Sequence, residues 1–141
     1  MASFVKFQTF VGDLGKKVHN LAAAGDTLKI YLSNTAPNVA TNAVKADLAE
    51  ISAVNGYPAG GIDVQNDYSQ ASGTGTCTGS NCVFTASGGA FGPFRYAALY
   101  NDTPTSPVDP LIGYWDYGSA ISLNDGETFT VQVGASLFTL A

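Results

Sequence analysis

The stretch Thr27-Leu28-Lys29-Ile30-Tyr31-Leu32 alternates strictly. Leu28, Ile30 and Leu32 fall on one side and Thr27, Lys29 and Tyr31 on the other, the two-residue period of a strand with one buried face. Gly25-Asp26 directly before it supplies a turn. The same signature recurs towards the C-terminus. Asn124-Asp125-Gly126 is a strong turn signal and leads into Glu127–Val133, where Phe129, Val131 and Val133 alternate with Thr128, Thr130 and Gln132.

Working outward from these two runs, Leu111–Tyr117 predicts a strand carrying Trp115, and Ser136–Leu140 a last short one. Phe91–Tyr100 alternates as well, with Phe94, Tyr96, Ala98 and Tyr100 on one face and Arg95, Ala97 and Leu99 on the other. Cys82–Thr85 and Ile62–Val64 add two more, and Ser69–Ser80 reads as an exposed loop or hairpin tip. Ser3–Val11 also alternates, with Phe on both faces, which predicts a strand or an N-terminal arm over 1–11 that packs on a neighbour. One helix is expected at about 42–54. Thr41 or Asn42 can cap it, Val44, Leu48 and Ile51 lie at i, i+4 and i+7, and Asn55-Gly56 stops it. Many short strands and one helix predict a mainly β fold. We expect a single domain over 1–141, an antiparallel sandwich, jelly-roll-like or barrel.

The 141 residues suffice for one domain with its own core. Charged residues are only 12% of the chain, so its polar surface is mostly hydroxyl and amide. The net charge is −5, with +1 on residues 1–50 and −6 on residues 51–141. No Lys/Arg cluster offers the counterion release that nucleic-acid binding needs, so no nucleic-acid partner is expected. No apolar run is long enough to span a membrane, and the N-terminus lacks the apolar stretch of a signal peptide. Synthesis in the cytoplasm is the expectation.

No constellation for chemistry stands out. His19 is the single His, and it lies near no distinctive Ser or Cys motif. Asp63 and Asp67, or Asp102, Asp109 and Asp116, are carboxylates in search of the apolar niche a glycosidase requires. Asp63, Asn66 and Asp67 are oxygen donors without EF-hand spacing. Tyr96, Tyr100, Tyr114, Trp115 and Tyr117 suit a sugar-stacking platform or, more simply, a core. Cys77 and Cys82 flank a four-residue turn-prone segment. A hairpin there brings them within disulfide reach, and bridged and free thiols both stay open. Neither catalytic residues, nor a metal, nor a cofactor is expected.

Two longer stretches carry a resemblance. One is LSNTAP at 32–37 with NAVKADLAEI at 42–51, then Asn55-Gly56-Tyr57 and Gly60-Gly61. The other is FRYAALYND at 94–102 with PLIGYWDYG at 110–118 and DGETF at 125–129. Together they cover roughly half of the chain and resemble small structural proteins of tailed bacteriophages, capsid decoration (cement) proteins and related head and tail components. The resemblance implies a β-rich, often oligomeric, non-enzymatic virion protein on the capsid surface. Its partners would be the major capsid protein and other copies of itself, a homotrimer being favoured because many capsid sites are threefold. A tail, baseplate or head-fibre component that recognises glycans or a receptor is the alternative. Phe4, Phe7 and Phe10 are the expected anchoring contact, since apolar residues occupy both faces of that segment.

Overall fold

The structure is a computed structural model, and it describes residues 2–141. The element order is β1 (Phe4–Lys6), α1 (Gln8–Gly15), β2 (Leu28–Ser33), a 3-10 turn (Lys45–Asp47), β3 (Ile62–Asp63), β4 (Asp67–Ala71), β5 (Thr74–Thr78), β6 (Cys82–Thr85), β7 (Phe91–Asn101), β8 (Leu111–Leu123), β9 (Thr128–Val131) and β10 (Phe138–Leu140). A five-stranded sheet runs β1-β8-β7-β2-β3, a three-stranded sheet β10-β5-β4, and β6 pairs with β9. Every pairing is antiparallel. The fold is therefore mainly β and sandwich-like, and it does not close into a barrel.

The main core lies on one face of the large sheet. Leu28, Ile30 and Leu32 of β2 meet Ala97 and Leu99 of β7, Trp115 of β8, and Cys77, Phe84, Val131 and Phe138 from the smaller sheets. The outward side of β2 departs from the sequence expectation. Tyr31 is fully buried in a second cluster with Phe7, Leu48, Ala98, Tyr100 and Leu111, so this part of the large sheet is covered on both faces. In β7, Phe94 joins Ala97 and Leu99 in the main core, while Ala98 and Tyr100 join the second cluster. A register shift between Phe94↔Ile121 and Tyr96↔Asp116 moves Phe94 off the face that simple alternation gives it.

The helix is in a different place from the one expected. Residues 42–54 hold only the short turn Lys45–Asp47. Their backbone groups bond outward: Lys45 N–H to Asp109 O at 2.8 Å, Leu111 N–H to Ala43 O at 3.0 Å, and Ile51 N–H to Leu32 O at 3.1 Å. Asp47 accepts the Ala43 and Val44 N–H groups, which holds its carboxyl below the usual range. Leu48 is fully buried and Val44 and Ile51 partly so, but an irregular cover presents them rather than a helix.

The chain becomes helical instead at Gln8, inside the predicted 3–11 strand. Only Phe4–Lys6 is strand. Beyond it, Phe10 and Leu14 stand four residues apart and both pack on the main core, which is helical spacing. With no side-chain cap and with Gly12 and Gly15 in or at the end of it, α1 depends on that burial. At Gly61 the backbone has φ +82° and runs against the Ile30 carbonyl, so any side chain there would meet the main chain of β2.

Candidate functional site

The residues expected to anchor a partner are largely core. Phe7 and Phe10 are 0% exposed. Phe7 packs beside Tyr114 at 5.5 Å, and Phe10 against Phe138 at 5.3 Å. Phe4 is half-buried, edge-on to Trp115 at 5.2 Å and stacked on Phe138 at 5.5 Å. Their aromatic faces are spent inside the domain, and so the N-terminal segment is not a free arm. What it exposes is a strand edge: β1 bonds β8 on one side and, among the described residues, has no strand on the other. Val5, at its centre, is 38% exposed.

Cys77 and Cys82 are both buried free thiols, the second of the two alternatives the sequence left open. Cys77 lies in β5 opposite Tyr68, and Cys82 lies in β6 opposite Val131, so they sit in different sheets and not across one hairpin. Burial pushes each thiol up to about 12, which suppresses the reactive thiolate. The hairpin that does form is β4–β5, closed by Ser72 and Gly73, both at positive φ.

The carboxylates are occupied one by one. Asp116 forms a two-pronged pair with Arg95, at 2.8 and 3.1 Å, and Asp102 pairs with Lys29 at 3.0 Å. Asp63 accepts the Gln65 N–H, and Asp67 those of Tyr68 and Ala23. Asn66 is buried, its Oδ1 taking Leu28 N–H and its Nδ2 donating to the carbonyls of Leu21 and Asp26. These three do not converge on a cation. Asp109 has its carboxyl raised by burial and by neighbouring Asp102. Tyr96, Tyr100 and Trp115 are buried and Tyr114 and Tyr117 half-buried, so of the two readings, platform and core, these aromatics are interior packing.

Two clusters escaped the sequence analysis. The first pins the cover 43–61 onto the large sheet. Glu50 accepts from Lys45 Nζ at 2.8 Å, Tyr57 OH at 2.7 Å and Gly60 N–H at 2.7 Å. The Tyr57 hydroxyl in turn accepts the Leu32 N–H of β2 at 3.0 Å. Tyr31 OH donates to Leu48 O at 2.8 Å, Tyr100 OH to Gly60 O at 2.7 Å, and the Lys45 ammonium lies over the Tyr31 ring. Burial raises all three phenols. The signal in the sequence was Tyr31 at a supposedly outward strand position, where a hydroxyl invites a partner from a covering segment.

The second cluster centres on Asn101, which is fully buried at the end of β7. Its Nδ2 donates to Asp26 at 2.7 Å and to His19 Nδ1 at 3.0 Å. Nδ1 is therefore the acceptor of a neutral ring, and the proton sits on Nε2, which is buried without a partner beside the Phe10 ring. Burial lowers the His19 pKa in spite of Asp13 and Asp26 nearby. His19 also lines a cavity of about 410 Å³ with Leu14, Lys17, Leu21, Tyr68 and Leu140. Among the described residues, no three His, Cys, Asp or Glu side chains are grouped to hold a metal.

Compared with protein-family models, curated proteins and solved structures, the chain matches none. What the geometry defines is a sandwich-like β domain with an internally committed set of polar groups and open strand edges.

Proposed function

We propose that this chain is a non-enzymatic structural protein of a tailed-phage virion, a capsid decoration protein that sits on the outside of the head and holds neighbouring capsomers together. The reading rests first on the resemblance carried by residues 32–61 and 94–129. The observation that carries it furthest is the open edge of β1, which puts main-chain donors and acceptors and an exposed valine on the segment expected to anchor. Strand addition at such an edge, with burial of nearby apolar surface, is a recognised way to join subunits without a pocket or a cofactor. Each contact can be small, because many copies act together on one shell. The partners are the major capsid protein and other copies of this chain, in keeping with threefold capsid sites.

Deleting residues 1–11 does not test this, because it would remove Phe7 and Phe10 from the core. A cryo-electron map of intact particles does. Density for this fold repeated over the whole head is the expected result. Density confined to the tail or a single vertex would replace the reading with that of a tail or head-fibre component.

A further inference from the structure

We infer that the open edge of β1 pairs with the same edge of a second copy, across a two-fold axis through Val5. The argument begins with hydrogen-bond parity. Phe7 N–H donates to Ile112 O at 3.0 Å, and the register continues as Lys6↔Gly113, Val5↔Tyr114 and Phe4↔Trp115. Bonded and non-bonded pairs alternate along an antiparallel ladder. Val5 therefore shares the bonding parity of Phe7, and its N–H and C=O point at β8. The N–H and C=O of Phe4 and Lys6 point the other way, out of the open edge.

An antiparallel copy centred on Val5 meets that pattern over Phe4–Lys6, and the free edge ends there, because the next outward N–H, that of Gln8, is already taken by Val39 O at 3.0 Å. Phe4 faces the partner's Lys6 and Lys6 faces the partner's Phe4. Each is a bonded pair, which makes four main-chain hydrogen bonds. Val5 then faces the partner's Val5 as a non-bonded pair, the arrangement that brings side chains closest, with Cα atoms about 4.5 Å apart. On that face each Val5 lies beside the half-buried Tyr114 of its own β8, so the axis joins two valines and two tyrosines into one apolar strip. On the other face the two Lys6 side chains stand at opposite ends, so their charges are kept apart.

Two of the other edges, β3 and β4, fit less well. β3 has two residues, one of them Asp63, and β4 opens with Asp67, whose carboxylate is tied to the loop at Ala23. Because α1 starts at Gln8, β1 offers three residues only, and a two-fold uses all three from both chains. A longer foreign strand would leave most of its length unpaired. The contact supplies a copy-to-copy link in pairs; contact with a capsid protein, and any threefold arrangement, would use other surfaces of the domain. It stands whether or not the protein decorates a capsid.

The test is cysteine crosslinking of the full chain with sedimentation. Non-bonded antiparallel pairs fall within the Cα range of a disulfide, and buried Cys77 and Cys82 leave the background low. Val5→Cys under mild oxidant should yield a covalent dimer at least tenfold faster than Val83→Cys or Val108→Cys, whose parent valines are also exposed. Val5→Lys places two ammonium groups on the axis, and it should sediment as monomer at concentrations where the parent chain dimerises. Its melting curve should stay close to the parent's. Crosslinking of Val5→Cys no faster than the two controls, or an undiminished dimer in Val5→Lys, would overturn the pairing.

Discussion

Replacing Tyr57 by Phe removes one oxygen and almost no volume, so it isolates the hydrogen bonds that hold the cover on the sheet. Tyr57 is 4% exposed, and Leu32, whose N–H the hydroxyl accepts, is 0% exposed. The substitution leaves that N–H buried and unpaired, which costs about 1–3 kcal/mol. It also takes one of three donors from the Glu50 carboxylate, a bond to a charged group worth about 1.5–3 kcal/mol. Glu50 keeps Lys45 and Gly60 and is about one-fifth exposed, so the second loss is softened. We expect a total of about 2–4 kcal/mol. With a urea m-value near 2 kcal/mol/M, the midpoint should fall by about 1–2 M with m unchanged. At about 2.1 cal/mol/K per residue, the 141 residues give an unfolding entropy near 0.3 kcal/mol/K, and Tm should drop by roughly 7–13 °C. A double-mutant cycle with Glu50→Gln should show a coupling of at least about 1 kcal/mol. A loss below about 1 kcal/mol, or strict additivity, would refute the account of the cover as fastened through Tyr57.

Two further outcomes follow from the other buried groups. His19 has a folded pKa below its ordinary 6.5, so between the two values the unfolded chain binds more protons and stability rises with pH. Urea midpoints should therefore fall as pH drops from about 6.5 through the folded value, and His19→Gln should flatten that slope; a slope of opposite sign, or one untouched by the substitution, would count against the neutral ring. Cys77 and Cys82 should resist a thiol reagent at pH 8 in the folded chain and both react once urea unfolds it. Rapid labelling of the native protein, or no labelling in urea without reductant, would contradict two buried thiols.

Period-two patterns were legible where one face of a regularly paired strand met the main core. Leu28, Ile30 and Leu32 behave as their alternation says, as do Cys82 and Phe84 in β6, buried between exposed Val83 and Thr85. Two positions were not legible, and for the same reason. Val44, Leu48 and Ile51 have helical spacing, but the carbonyls and amides that a helix would use internally find better partners in Asp109, Leu111, Leu32 and Tyr31. Residues 4–14 satisfy both periods, and the choice between them falls at Phe7, whose N–H is taken by Ile112 and whose ring is needed in the second cluster. In each case a contact far along the chain decides, and local pattern holds no record of it. The Asn101 and Glu50 clusters were hidden likewise, since their members lie up to 82 residues apart.

The cover bears directly on where a partner can bind. A five-stranded antiparallel sheet with one solvated face would ordinarily offer that face to another protein. Here Phe7, Leu48 and the segment 43–61 occupy it over β2 and β7, and Tyr31, Tyr57 and Tyr100 spend their hydroxyls holding the cover down. The exposed remainder of the large sheet is its flank, β1 with Val5 and the adjoining part of β8. The aromatic residues near it are internally packed, so recognition there falls to main-chain groups and one valine. Main-chain pairing is indifferent to most side-chain changes, and Val5 is where a single substitution should act. That separates the two variants sharply: Tyr57→Phe should weaken the fold and leave edge pairing of the folded fraction intact, whereas Val5→Lys should do the reverse. If both lowered stability, or both abolished pairing, the edge and the cover would be one cooperative unit and the separation argued here would fail.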